Sequence, residues 1–241
     1  MGPDLKGRTA LVTGASRGIG RSVSLALAGA GARVFLLARS AEKLREVARE
    51  IEESGGVAEA LTADLGSADQ VRGAFAAVRE RAGALDILVN NAALGLWGRF
   101  LDFPLEDFDR LMQVNVRGTY LCCQEGLKLM LPAGRGYIIN IASVVGFKGY
   151  PNQSAYTASK HAVMGMTKSL AVEAQEHGVL VAAISPGGVD TMLAADARPD
   201  LDRSRLILPE DIARSVLYLL SLSDRAWVDH LYIRRRTSSP F

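Results

Sequence analysis

Cysteine is almost missing from this chain: there are two, Cys122 and Cys123, side by side. Neighbouring residues are poorly placed to bridge each other, and neither has a distant partner. A disulfide framework is therefore excluded and a reducing cytoplasm is expected. An excess of one charge is missing too. The 28 lysines and arginines face 26 acidic residues, a net +2, which leaves no global field to draw the chain to nucleic acid or a membrane. The run Arg234-Arg235-Arg236 beside "TSSPF" reads as a solvated tail. No apolar run approaches the roughly 18 residues that a membrane span requires. "MGPDLKGR" lacks the apolar centre of a secretory leader, and Lys6 stands where a myristoylation signal has Ser or Thr. The histidines, His161, His177 and His230, fall in no metal-ligand spacing, so no metal site is expected. No linker, internal repeat or low-complexity tract interrupts the sequence.

What is present is apolar: 49% of 241 residues are hydrophobic, enough for one large α/β domain over 1–241. Short apolar runs alternate with longer helical patterns. "TALVTG" (9–14), "RVFLLAR" (33–39), "VAEALTADL" (57–65) and "LDILVNNA" (85–92) read as strands, with helices between them. A long helix is expected over about 105–131, then a strand at "GYIINIAS" (136–143), a helix over about 154–177 and a strand at "VLVAAISPG" (179–187). A helix after Pro209 and a short strand near "HLYIRR" follow. Such alternation predicts a doubly wound, Rossmann-type parallel sheet of about seven strands, covered on both faces.

The first strand runs straight into "TGASRGIG". Gly14, Gly18 and Gly20 let the backbone turn tightly and approach a pyrophosphate, which the next helix meets with free N–H groups and its positive dipole end. The spacing is G-x-x-x-G-x-G rather than the commoner G-x-G-x-x-G. NAD-binding folds usually carry a carboxylate near the end of the second strand, where it accepts from the ribose 2′-hydroxyl. Here that place holds Arg39 and Ser40, and the loop adds Arg17. Guanidinium groups bind a 2′-phosphate that a carboxylate would repel, so NADP(H) is favoured over NAD(H); a surface cation at a strand end is the plainer alternative for Arg39. Asp64, after the third strand, is placed either to accept from an adenine edge or to cap the next helix.

"SAYTASKHAVMG" (154–165) sets Tyr156 and Lys160 one helical turn apart, among Ala155, Ala158, Ser159 and Ala162. Positions i and i+4 share a face, so a phenol and an ammonium project into the same space. Alone, the pair also fits a surface helix.

Together these segments resemble the short-chain dehydrogenase/reductases, over nearly the whole chain. "TGASRGIG" is similar to that family's cofactor turn and "NNAA" (90–93) to its fourth-strand motif. Asn115 in "VNVRG", Ser143 in "NIASVVG" and "YTASK" (156–160) are similar to its catalytic tetrad, and "SPGGVDT" (185–191) to the turn that holds a nicotinamide carboxamide. The resemblance implies that Ser16, Ile19, Leu65, Asn91, Ala92, Pro186, Gly187, Val189 and Thr191 join the glycines, Arg17, Arg39, Ser40, Asp64, Tyr156 and Lys160 around the cofactor. It further implies an oxidoreductase that reduces a ketone or aldehyde, with 3-oxoacyl compounds included. Tyr156 would be the proton donor, helped by Lys160, since a free phenol has a pKa near 10. Ser143 would bond the carbonyl oxygen, and Asn115 would hold a water linking Lys160 to solvent. An NAD-linked alcohol dehydrogenase and a low-turnover NADP(H)-binding regulator are the rival expectations.

Two positions depart from the family. Ala93 replaces a usual glycine, and no D-G-G motif follows the last strand, which leaves open whether a homodimer or a homotetramer forms. Leu94, Trp97, Phe147, Tyr150, Val189, Met192 and Leu193 follow strands whose carboxyl ends bind ligands, and are expected to wall an apolar substrate site. Residues 190–208 are expected to form a mobile lid.

Overall fold

The computed structural model describes residues 2–197 and 202–239. Strand β1 (Thr9–Thr13) leads into helix α1 (Gly18–Gly29), β2 (Arg33–Ala38) into α2 (Ala41–Glu53), and β3 (Val57–Thr62) into α3 (Ala68–Ala82). After β4 (Ile87–Asn90) come α4 (Leu105–Met112) and α5 (Thr119–Met130), then β5 (Gly136–Ile141), α6 (Ser154–Gln175) and β6 (Val179–Pro186). The short α7 (Met192–Ala197), α8 (Pro209–Leu220) and β7 (His230–Ile233) follow. All strand pairs are parallel, in the order β3-β2-β1-β4-β5-β6-β7. The chain winds outward from β1 one way and, from β4, the other, so the order reverses between β1 and β4. Ligands of open α/β sheets bind at that reversal, beyond the carboxyl ends of the strands.

The strands are continuously apolar because both faces are covered. Val12, Val34, Leu36, Ile139 and Ile184 point to the side of α1, α2 and α8, where they meet Leu27, Val47 and Val216. Their neighbours Leu11, Phe35, Leu37, Leu88 and Ile138 point to the other side, against Phe75 of α3 and Cys122 of α5. Burial pushes the Cys122 thiol up, and that of Cys123 up to about 12, so both are free and poor nucleophiles.

Serines set two helix starts: Ser40 Oγ accepts from Lys43 N at 3.4 Å, and Ser67 Oγ from Gln70 N at 3.5 Å. At the end of α2 the chain turns through Gly55, whose φ of +80° suits glycine. The long helix expected over about 105–131 is α4 and α5 joined without a break by a π-helical turn, Gln113–Gly118. At the centre of the sheet a polar ladder is buried: Asn90 Nδ2 donates to Asn140 Oδ1 (2.9 Å), and Asn140 Nδ2 to Thr167 Oγ1 (2.8 Å). The end of the expected lid is folded, with Val189 bridging Ile207 and a 3₁₀ turn at Arg203–Arg205; its positions 198–201 lie outside the described residues.

Candidate active site

One large cavity, about 1010 Å³, opens at the carboxyl ends of the strands and gathers residues from the segments after all seven. Its first end is built on the glycine turn. Gly14 and Gly18 have φ of +66° and +54°, and a Cβ on Gly14 would sit 2.8 Å from Asn91 Nδ2. Asn91 earns that proximity by donating to the carbonyls of Thr13 (3.0 Å) and Gly14 (3.2 Å). Thr13 Oγ1, wholly buried, accepts from Asn91 N and Ala92 N at 3.0 Å each, locking the ends of β1 and β4 together. Sequence reasoning missed Thr13, since a threonine at the end of a short apolar strand carries no signal of this role.

Gly14, Ser16, Arg17, Gly18 and Ile19 line this end, and α1 starts without a capping side chain or an acidic first-turn residue. Its N–H groups are left for an anion. Gly20 does not line the cavity: a Cβ there would lie 2.2 Å from Gly14 O, so its role is close packing of helix on loop. Arg39 and Ser40 lie in the same wall with Lys43, a third cation that its place one turn into α2 could have revealed. Arg17, Arg39 and Lys43 are exposed and have no ion pair among the described residues. Asp64 and Leu65 also line it. The cap of α3 is Ser67, so Asp64 is no helix cap; Asp64 Oδ1 accepts from Gly66 N at 2.8 Å, which steadies the turn.

At the other end Ser143, Tyr156 and Lys160 meet on one wall, with Ala92, Ala93, Pro186, Gly187, Val189 and Thr191 around them. Ser143 Oγ makes two long bonds, donating to Pro186 O (3.4 Å) and accepting from Val145 N (3.3 Å). Lys160 Nζ donates to Ile141 O (2.9 Å) and stands 5.7 Å from the Tyr156 ring centre. Both side chains are buried. Burial raises the Tyr156 phenol above its ordinary value and lowers Lys160 to about 8. The help expected from Lys160 in lowering Tyr156 is thus absent from the protein alone, where loss of water raises the phenol. Ala155 and Ser159 pack beneath the pair, whereas Ala158 and His161 face solvent.

Asn115 sits outside the cavity wall, 1% exposed, in the π-helical turn. Its Oδ1 accepts from Leu94 N (2.7 Å), and its Nδ2 donates to Leu94 O (2.9 Å) and Ser159 Oγ (3.1 Å). The amide is committed to bracing the Leu94 loop against α6 rather than presented to the cavity. Ala93 takes no left-handed backbone, since Asn152 is the only non-glycine with positive φ among the described residues; a glycine is not needed there for conformation.

Of the expected substrate wall, Leu94, Trp97, Tyr150, Val189, Met192 and Leu193 line the cavity. Trp97 meets Tyr156 edge-on, with ring centres 4.9 Å apart. Phe147 does not belong to it. The 3₁₀ turn Val144–Gly146 carries its ring away to stack on His230, 4.9 Å between centres. Arg235 is a second correction: instead of a solvated tail it is a half-buried part of the cavity wall. Among the described residues no cluster of His, Cys, Asp and Glu could hold a metal, and no helix is long and apolar enough to cross a membrane.

The family model for short chain dehydrogenases matches residues 8–202. The chain belongs to the short-chain dehydrogenase/reductase family of oxidoreductases, whose members use a nicotinamide cofactor. It is 40% identical over 192 residues to a 3beta-hydroxysteroid dehydrogenase of Mediterraneibacter gnavus, covering 79% of this chain and 69% of the relative. It is 37% identical to the 3-oxoacyl-[acyl-carrier-protein] reductase of Aquifex aeolicus, covering 90% and 91%. A metagenomic short-chain oxidoreductase solved in complex with NADP superposes with a TM-score of 0.86 at 36% identity, over 98% of this chain and 100% of that one.

Proposed function

We propose that the protein is an NADPH-dependent reductase of ketones or aldehydes that acts as a homo-oligomer in the cytoplasm, without nucleic-acid or membrane partners. The observation that carries the reading is the meeting of Ser143, Tyr156 and Lys160 at one end of a cavity whose other end holds Arg17, Arg39 and Lys43. The residues at the glycine turn fit a dinucleotide: Gly14 and Gly18 remove side chains where a pyrophosphate would pass, and the start of α1 offers free N–H groups. Arg17, Arg39 and Lys43 suit a 2′-phosphate, in line with the NADP complex of the metagenomic relative. When bound, the reduced nicotinamide supplies a hydride.

The chain supplies the proton and the oxygen contacts. With its pKa raised by burial, Tyr156 stays protonated near neutrality, the state needed to give its Oη proton to a carbonyl oxygen. Ser143 Oγ donates to the same oxygen, exchanging a 3.4 Å bond to Pro186 O for a shorter one as negative charge grows. Lys160 uses one proton on Ile141 O and keeps two for ribose hydroxyls. Leu94 and Trp97 exclude water on the substrate side.

The test is oxidation of NADPH and of NADH with a panel of ketones, aldehydes and acyl thioesters. NADPH is expected to be the better cofactor. Tyr156→Phe should lower kcat by about a hundredfold or more while cofactor binding persists. Turnover unaffected by Tyr156→Phe would reject the assignment of the donor, and tight NADPH binding without any turnover would favour the regulator.

A further inference from the structure

A second, smaller cavity of about 180 Å³ adjoins the first, sharing Val144, Tyr150, Gly187, Gly188 and Arg235 with it. The segment after β7 makes its outer wall. Gly187 N donates to Ile233 O (2.7 Å), fastening that segment to the turn after β6. Arg235 lies alongside Gly188, its Cδ 3.6 Å from where a Cβ there would stand, an ordinary packing distance. Arg234 Nη1 donates to the carbonyls of Arg235 (3.2 Å), Arg236 (3.4 Å) and Ser238 (2.6 Å), which curls the tail around the cavity. Lys148 lies on the facing side, its Nζ 5.8 Å from the Tyr232 ring centre.

The charges here are unbalanced. Lys148, Arg234 and Arg235 line the cavity, and no carboxylate does so among the described residues. Arg235 is half-buried, and its guanidinium has no hydrogen-bond or ion-pair partner among them. Arg203, at the mouth of the large cavity, is by contrast neutralised by Asp190 at 2.7 Å. A cation withdrawn from water without a counter-charge is costly, and an arriving anion offsets that cost. The cavity lies beyond Tyr150 and Val144, on the substrate side, and is remote in sequence from the three cations assigned to the 2′-phosphate.

We propose that this cavity is an anion subsite of the substrate site, so that the substrate is a carbonyl compound bearing a carboxylate or phosphate. The anion passes Tyr150 to meet Arg235 and Lys148 while the carbonyl rests at Ser143 and Tyr156. The inference rests on the reductase reading for the reacting end only.

Its test compares levulinate and para-acetylbenzoate, each with its methyl ester, and adds dihydroxyacetone phosphate to separate phosphate from carboxylate. At least one anionic compound should exceed its neutral partner (dihydroxyacetone, for the phosphate) in kcat/KM by about tenfold or more, mainly through KM. Arg235→Gln should bring that ratio near one, and Lys148→Gln should lower it part-way. A ratio near one in the wild type, or a high ratio that neither substitution moves, overturns the subsite and leaves the reductase standing. If no carbonyl turns over, the reductase reading falls instead, and calorimetric titration with the same anions decides the subsite. Saturable binding lost in Arg235→Gln upholds it, and its absence in the wild type overturns it.

Discussion

Lys160 carries two opposed demands. In the proposed reaction its ammonium must be charged to act beside Tyr156, yet burial has lowered its pKa from 10.5 to about 8. Between those two values the unfolded chain binds a proton that the folded chain has released, so this residue's contribution to stability rises with pH through that window. Below about 8 the buried charge is a standing cost. Lys160→Met is therefore expected to stabilise the cofactor-free protein by about 1 kcal/mol at neutral pH while abolishing turnover. Denaturant midpoints of both proteins, taken from neutral pH to about 10, should show the gap narrowing; a gap that is constant or reversed would refute the desolvation account. The shared face of Tyr156 and Lys160 was legible in the sequence because a one-turn spacing survives any detail of packing, whereas Ser143 was offered only by the family resemblance. The place of Phe147 was not legible, because a 3₁₀ turn rather than a periodic element aims its ring.

The π-helical turn between α4 and α5 shows what an element contributes. An ordinary helix over about 105–131 is what the apolar pattern predicts, and nothing in that pattern marks the widened turn at Gln113–Gly118. Such a turn inserts a residue and re-aims its neighbours, and here it carries the buried Asn115. The helix also sits close to the loop after β3: a Cβ on Gly118 would meet Leu65 O at 2.8 Å. Asn115→Ala should cost about 2 kcal/mol, because it strands the Leu94 N–H and C=O. The same change loosens the Leu94 loop and should raise the KM for the carbonyl substrate. Paired urea melts and substrate titrations would measure both. A loss in kcat with stability and KM intact would instead point to the water-holding role expected from family resemblance.

At the scale of the whole molecule, the three most exposed large apolar side chains among the described residues lie close together in sequence. Phe100 and Leu101, in the 3₁₀ turn before α4, and Leu105, its first residue, are 82%, 84% and 74% exposed. Large apolar groups clustered on a surface mark a contact with another chain. Sedimentation of the wild type should show a dimer or tetramer, and Leu101→Asp should shift it toward monomer; a monomeric wild type would remove the proposed oligomer. The parallel sheet of about seven strands and its two covered faces were readable from alternation in the sequence, since each strand had to be apolar on both sides, while the strand order came only from the structure. The wrapping of the chain's end was not readable, because three arginines in a row look the same whether solvated or folded against a cavity. The ladder of Asn90 and Asn140 works at this scale as well. These residues are register partners in adjacent strands; Val89 precedes the first, and Ile139 and Ile141 bracket the second. A slip of one residue would strand both amides in hydrocarbon and reverse which face each side chain meets. The two asparagines thus act as a checksum on assembly: the centre of the sheet closes in one alignment, and the catalytic wall at its edge inherits that alignment.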